Sequence, residues 1–228
     1  MEIAGTSTKR SVVKGLTHRV QQVRHLSPSA YVLRMDRDGL EFEPGQYINV
    51  GPADSIAMRE YSIYSGKDDD YLEVLIKEVE GGLVSPALKT CRTGDLVSVE
   101  GPFGFFVTEP EERPSGRYLF IASGTGISPF HCLVRSYPRL DYRILHGVRT
   151  LSERYERDGY DATRYLSCVS REEGGDYAGR VTGYLREHPV DPESLCYLCG
   201  NCDMIYEAFD LLRSQGVSSN HLFAEVYF

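Results

Sequence analysis

The chain has 228 residues, room for one large or two ordinary domains, and its 41% hydrophobic and 25% charged residues suit a globular fold. A net charge of −8 argues against nucleic acid as a partner, since phosphate binding needs a basic surface. No apolar run approaches the roughly 20 residues of a membrane span, and the opening MEIAGTSTKR lacks the apolar core of a signal peptide. A cytoplasmic chain with its six cysteines reduced is therefore expected.

Residues 1–25 carry Lys9, Arg10, Lys14, Arg19 and Arg24 against the single acid Glu2. This suits either an edge strand guarded by positive charge or a docking rim for an acidic protein. Six strand patterns follow: QQVRHL, AYVLRMD, QYINVG, EYSIYSG, YLEVLIKEV and DLVSVEG. Alternation, β-branched and aromatic content, and turn residues between the runs predict a six-stranded antiparallel β-barrel over residues 1–110. The triplet Asp68-Asp69-Asp70 reads as a solvated hairpin tip.

Residues 108–117, TEPEERPSGR, read as a linker. Beyond it the apolar strands YLFIA, DYRILHGV, RYLSCVS and SLCYLCG alternate with helical stretches near 129–137, 150–158, 180–187 and 203–214. That alternation predicts a second, α/β domain over 115–228, a parallel sheet wound with helices. Such sheets bind ligands at the carboxyl ends of their strands.

Several motifs carry chemistry. Arg59-Glu60-Tyr61-Ser62 places a cation and a ring on one strand face, suited to a pyrophosphate beside a flat ring; an ordinary strand explains the same residues. Gly81-Gly82-Leu83-Val84-Ser85-Pro86 could form an anion nest or a plain hairpin loop. Ser123-Gly124-Thr125-Gly126-Ile127-Ser128-Pro129 joins a strand to a helix, where backbone N–H groups can meet a phosphate, although the spacing is not GxGxxG. Arg149, Ser170 and Arg171 follow two strands, and Arg180 opens a helix. Together they suit a monophosphate such as the 2′-phosphate of NADP, with surface ion pairs as the plain alternative. Cys196, Cys199 and Cys202 overlap as two CxxC spacings. Cys196 and Cys199 should face opposite ways on a strand, so no metal site is expected.

The order of these segments closely resembles the ferredoxin–NADP reductase family, nearest its bacterial ferredoxin/flavodoxin reductase subgroup. It runs RxYS, GxxS-Pro, GPxGFF, SGTGIxP, SRE…GRV, CGNxxM and a terminal EVYF, and covers roughly residues 20–228. The resemblance implies FAD and NADP(H) as cofactors and electron transfer between NADPH and a ferredoxin or flavodoxin-like carrier, by a protein expected to be a monomer. It assigns Arg59 to the FAD pyrophosphate, Tyr61 to one flavin face, Ser62 to the flavin N5, and Gly82, Leu83, Val84 and Ser85 to the phosphates. Glu60, Leu75, Ile76 and Lys77 complete the FAD set. Thr125 would lie near both cofactors, beside Gly124 and Gly126. Arg149, Ser170, Arg171 and Arg180 would take the 2′-phosphate region, with Gly200, Asn201 and Met204 also on NADP. Cys199 would sit at the nicotinamide, with Glu225 in the same catalytic cluster. Tyr227 would cover the other flavin face, gating the nicotinamide, and Phe228 could stack on adenine.

Two features depart from the pattern. The acidity is unexpected for an enzyme whose usual partners are acidic, and the CxxCxxC run exceeds the family's single Cys-Gly. The rival readings are the reductase component of an oxygenase or larger electron-transfer complex, with any cluster on another chain, and a flavin-binding module without catalysis.

Overall fold

The computed structural model describes residues 16–108, 110 and 116–227. The first half consists of β1 (Leu16–Ser27), β2 (Ala30–Asp36), β3 (Tyr47–Pro52), β4 (Arg59–Ser62), β5 (Tyr71–Lys77), the short helix α1 (Ser85–Lys89) and β6 (Leu96–Phe103). Its sheet runs β4-β3-β6-β1-β2-β5 with antiparallel pairs throughout. The Ile63–Val74 bridge and the Tyr64 N–H donating to the Glu73 carbonyl (2.8 Å) bring the two ends together and close a barrel. Alternating side chains such as Tyr31, Leu33 and Met35 fill its interior.

The second half contains β7 (Tyr118–Ser123), α2 (Ser128–Ser136), β8 (Tyr142–Val148), β9 (Tyr165–Val169), β10 (Tyr177–Ala178), α3 (Val181–Glu187), β11 (Leu195–Asn201), α4 (Cys202–Ser214) and β12 (Leu222–Tyr227). All pairs in the sheet β10-β9-β8-β7-β11-β12 are parallel. β7 and β11 are apolar along nearly their whole length because helices or the barrel cover both faces. The barrel and the parallel sheet form a two-domain fold.

The halves share a core. Ala30, Val32, Tyr64, Leu75 and Phe106 of the first pack in one cluster with Phe120, Phe130, Leu133 and Tyr197 of the second. Phe120 and Phe130 stack with centroids 4.7 Å apart. Polar contacts cross here too. Asp69 accepts from the Gly66 N–H and pairs with Arg135 of α2 at 2.9 Å, so this member of the acidic triplet is a tether between the halves as well as part of a solvated tip.

The expected helix near 150–158 is a second departure. Two single 3-10 turns, 151–153 and 157–159, stand there instead, separated by Glu156 in the left-handed region at φ 50°. A continuous helix would bury too little: Tyr155 and Tyr160 point into the core, but no regular apolar stripe joins them.

Candidate functional site

The carboxyl ends of the parallel strands face the barrel's β4–β5 side. β4 pairs with β3 along its length, whereas its contact with β5 is confined to the Ile63–Val74 bridge and the Tyr64 N–H to Glu73 carbonyl bond just past its end. The edge of Arg59–Ser62 turned toward β5 thus lacks a strand ladder, and that opening can take a planar ring with polar edges. Arg59 is exposed beside it, with one guanidinium N–H donating to the Met58 carbonyl at 2.7 Å. Tyr61 is half-buried and Ser62 buried. Leu75 and Ile76 have their side chains in the core, which leaves only their backbone for a ligand, while Lys77 is partly exposed.

The glycine–serine segment is braced from within. Ser85 opens α1 but is buried, and its Oγ accepts from the Val79 N–H at 2.9 Å. That contact closes the loop, because a buried N–H left unpaired would be costly, and it leaves the hydroxyl hydrogen free to donate. Gly82 and the exposed Leu83 remain on the open side, and Val84 is buried.

Where the halves meet, four predicted catalytic side chains come together. The Tyr227 hydroxyl donates to Ser62 Oγ at 2.5 Å, and Ser62 Oγ lies 3.3 Å from Glu225 Oε2. Cys199 is in register with Glu225 across β11 and β12, so both project from the same face. Burial pushes the Glu225 carboxyl up to about 7; the Ser62 contact opposes this and the nearby Glu60 adds to it. Burial also raises the Cys199 thiol well above its usual range, which keeps it a neutral thiol rather than a nucleophile.

A cleft of about 570 Å³ extends from this cluster over the ends of β7, β8, β9 and β11. Small-molecule sites commonly have this size. Gly124, Thr125, Arg149, Ser170, Arg171, Arg180, Gly200, Asn201 and Met204 line it, with Lys77 and Tyr227 at the barrel end. Arg171 N–H donates to the Arg149 carbonyl at 2.9 Å, which brings the two guanidinium-bearing residues side by side. Arg180 stands nearby, at the residue that precedes the first turn of α3. Glu153, Asp203 and Glu207 are acidic neighbours in the same cleft; Glu153 accepts from the Arg149 N–H and Glu207 pairs with Arg186.

Cys199 and Gly126 do not reach the cleft wall. Both are buried, and a Cβ on Gly126 would lie 2.3 Å from the Cys199 carbonyl oxygen. Gly126 is needed for close packing beneath the site. Gly200, at φ +126°, is needed for another reason, since a side chain there would strike Ser123. Ser123 Oγ instead accepts from the Asn201 N–H at 2.8 Å, and Asn201 Oδ1 caps α4 by accepting from the Met204 N–H.

Sequence reasoning missed His146. It is fully buried, donates from Nε2 to the Gly124 carbonyl at 2.8 Å and accepts at Nδ1 from the Tyr165 hydroxyl at 2.7 Å. Burial lowers its pKa to about 4, so it stays neutral and pins the glycine turn. A lone polar residue inside the apolar run ILHGV was the available signal. The basic rim also needs correction. Arg24 is committed to Glu156 and Glu73, so it is not a free docking cation; Arg19 is exposed, and Lys9, Arg10 and Lys14 lie outside the described residues. Phe228 lies outside them as well. Among the described residues no cluster could hold a metal ion, all six cysteines are free, and no helix is long and apolar enough to cross a membrane.

Residues 18–107 match the family model of the oxidoreductase FAD-binding domain. The chain is 31% identical to ferredoxin–NADP reductase B of Sorangium cellulosum, over 92% of this chain and 96% of that one. The chain belongs to the ferredoxin–NADP reductase family. This reductase is also 29% identical to the toluate 1,2-dioxygenase electron transfer component of Pseudomonas putida, over 93% of its own length but 68% of the relative's. A ferredoxin NADP+ reductase from Neisseria gonorrhoeae with bound FAD and NADP superposes with a TM-score of 0.83 at 22% identity, covering 94% of the reductase and 99% of that chain, and so shares its fold. The reductase is a FAD-dependent electron-transfer oxidoreductase. Its unladdered β4 edge, exposed Arg59 and half-buried Tyr61 fit a flavin nucleotide.

Proposed function

We propose that the reductase passes electrons from NADPH, through FAD, to a ferredoxin or flavodoxin-like carrier protein. One observation carries the reading. Ser62 of the barrel is hydrogen-bonded to Tyr227 and lies against Glu225 of the other half, beside Cys199 and at the mouth of a cation-lined cleft. FAD, when bound, supplies the exchange of a two-electron hydride for single electrons.

The residues supply placement and protons. Arg59 would hold the pyrophosphate and Tyr61 would lie along the flavin, with Glu60, the backbone of Leu75 and Ile76, Lys77, and the Gly82–Ser85 loop completing the FAD set. Gly124 and Thr125 present the backbone of a strand-to-helix turn to the second nucleotide, and Gly126 lets that turn pack under β11. Arg149, Arg171 and Arg180, with Ser170, favour a 2′-phosphate and hence NADPH over NADH. Cys199, uncharged and buried against Tyr227, would offer the nicotinamide a neutral floor once that ring has turned aside. Glu225, poised near neutrality, can hold a proton and pass it through the Ser62 hydroxyl. Tyr227 lies where it must turn aside before the nicotinamide can approach.

A second reading, the reductase component of an oxygenase, draws on the likeness to the toluate dioxygenase component. The FAD-loaded protein is to be offered NADPH or NADH with ferredoxin, flavodoxin or an oxygenase as acceptor. Faster turnover with NADPH and either small carrier is expected. Turnover only with NADH and an oxygenase would overturn the proposal.

A further inference from the structure

The segment joining β8 to β9 does two things at once. Its first residues, Arg149 and Glu153, line the nucleotide cleft. Seven residues past Arg149, Glu156 turns toward the barrel and ion-pairs with Arg24 of β1. Glu156 occupies the left-handed region, φ 50° and ψ 36°, which a non-glycine residue adopts at a cost of roughly 1–2 kcal/mol. Glycine or asparagine would suit that backbone better, so the side chain must offset the strain.

The surroundings indicate how. Arg24 also lies 3.6 Å from Glu73 of β5, and Arg34 of β2 grips Glu73 at 2.8 Å. A charged chain, Arg34–Glu73–Arg24–Glu156, therefore runs from inside the barrel wall to the segment. Its two central side chains, Glu73 and Arg24, are 4% and 32% exposed, and Glu156 is 25% exposed, so solvent screens the chain less than it screens surface pairs. Beside it the Tyr64 ring of the barrel stacks on His131 of α2, centroids 3.9 Å apart and planes within 10°. His131 Nδ1 is 2.8 Å from the Tyr160 hydroxyl, and its Nε2 lies 3.8 Å from Glu156. The segment is thus held at Glu156 by the barrel and at Tyr160 by α2, while its free face presents Arg149 to the cleft.

We propose that Arg24 and Glu156 form a clasp between the halves that fixes where Arg149 stands over the cleft, making both positioning residues for the nicotinamide nucleotide. The clasp rests on the NADPH reading above. It adds that the barrel, which holds the flavin, also sets the geometry of the other cofactor's site through one ion pair. Binding of the second nucleotide is then sensitive to a contact remote from the reacting rings, as near-attack placement demands.

The test uses the full FAD-loaded chain and the variants Glu156→Gln, Glu156→Gly and Arg24→Gln. Turnover with a dye acceptor gives KM and kcat for NADPH, and amide exchange of residues 151–160 is followed in protein without nucleotide or flavin. Each variant is expected to raise KM for NADPH roughly three- to tenfold, the effect of losing a partly buried ion pair, and to speed exchange in the segment, with FAD affinity unchanged. Glu156→Gly separates positioning from stability. It relieves the left-handed backbone, so its melting temperature should hold while KM still rises. Wild-type turnover together with variants whose KM stays within twofold and whose exchange is unaltered overturns the clasp alone. Wild-type protein that does not oxidise NADPH overturns the functional reading, and this role with it.

Discussion

Glu225 is the group whose environment makes the sharpest quantitative demand. Burial between the halves raises its carboxyl from the ordinary 4.5 to about 7. At ~1.4 kcal/mol for each tenfold change in proton affinity, the ionised folded protein is destabilised by up to about 3 kcal/mol. Remaining solvent contact reduces this, so about 1–3 kcal/mol is expected. Below pH 4.5 the group is protonated folded or unfolded and costs nothing. As pH rises from 4.5 toward 7 the folded chain retains a proton that the unfolded chain has released, and stability falls; above about 7 the loss is complete. Glu225→Gln cannot ionise. Denaturant unfolding of flavin-free wild type and variant, from pH 4.5 to 8, should show the variant's advantage growing with pH by about 1–3 kcal/mol. Parallel pH profiles would mean that Glu225 is not held protonated by burial.

Other expectations follow from single contacts. Gly200→Ala forces a Cβ to 2.4 Å from Ser123 Oγ at a positive φ; thermal melts should show a loss of roughly 2 kcal/mol or more, and an unchanged melt would contradict the packing described. Arg171→Ala, like Arg149→Ala, should raise KM for NADPH roughly tenfold and leave KM for NADH unchanged in steady-state assays; equal effects on both would remove the 2′-phosphate assignment. Tyr227→Ala frees Ser62 and opens the nicotinamide approach, so NADP+ titrations should show tighter binding and an altered flavin spectrum. Identical titrations would remove the gate.

The two sheets were legible in the sequence because their patterns are strong. Alternation in AYVLRMD and unbroken apolar runs such as YLFIA leave few alternatives for a half-buried and a fully buried strand. The cleft residues were legible because strand ends in a parallel sheet point to one side, which gathers Arg149, Ser170 and Arg171 whatever the loop detail. What escaped depends on contacts between residues far apart in the chain. That the Ser85 hydroxyl braces its own loop escaped because nothing local reveals that its oxygen accepts from the Val79 N–H. Arg24 looked like a surface cation because its partner Glu156 lies 132 positions away. The stretch 150–158 looked helical by composition, yet a pair of tyrosines and a left-handed glutamate serve the junction between the halves and override local propensity.

Under the proposed function, the barrel and the parallel sheet bring a flavin and a nicotinamide together at Ser62, Cys199, Glu225 and Tyr227. Anaerobic mixing of FAD-reconstituted protein with NADPH tests it in one cuvette, followed through the flavin's visible absorption. Stoichiometric FAD uptake is expected, then rapid bleaching by NADPH, markedly slowed in Ser62→Ala. A protein that takes up no FAD, or whose bound flavin keeps its colour in excess NADPH, does not bring the two rings together there.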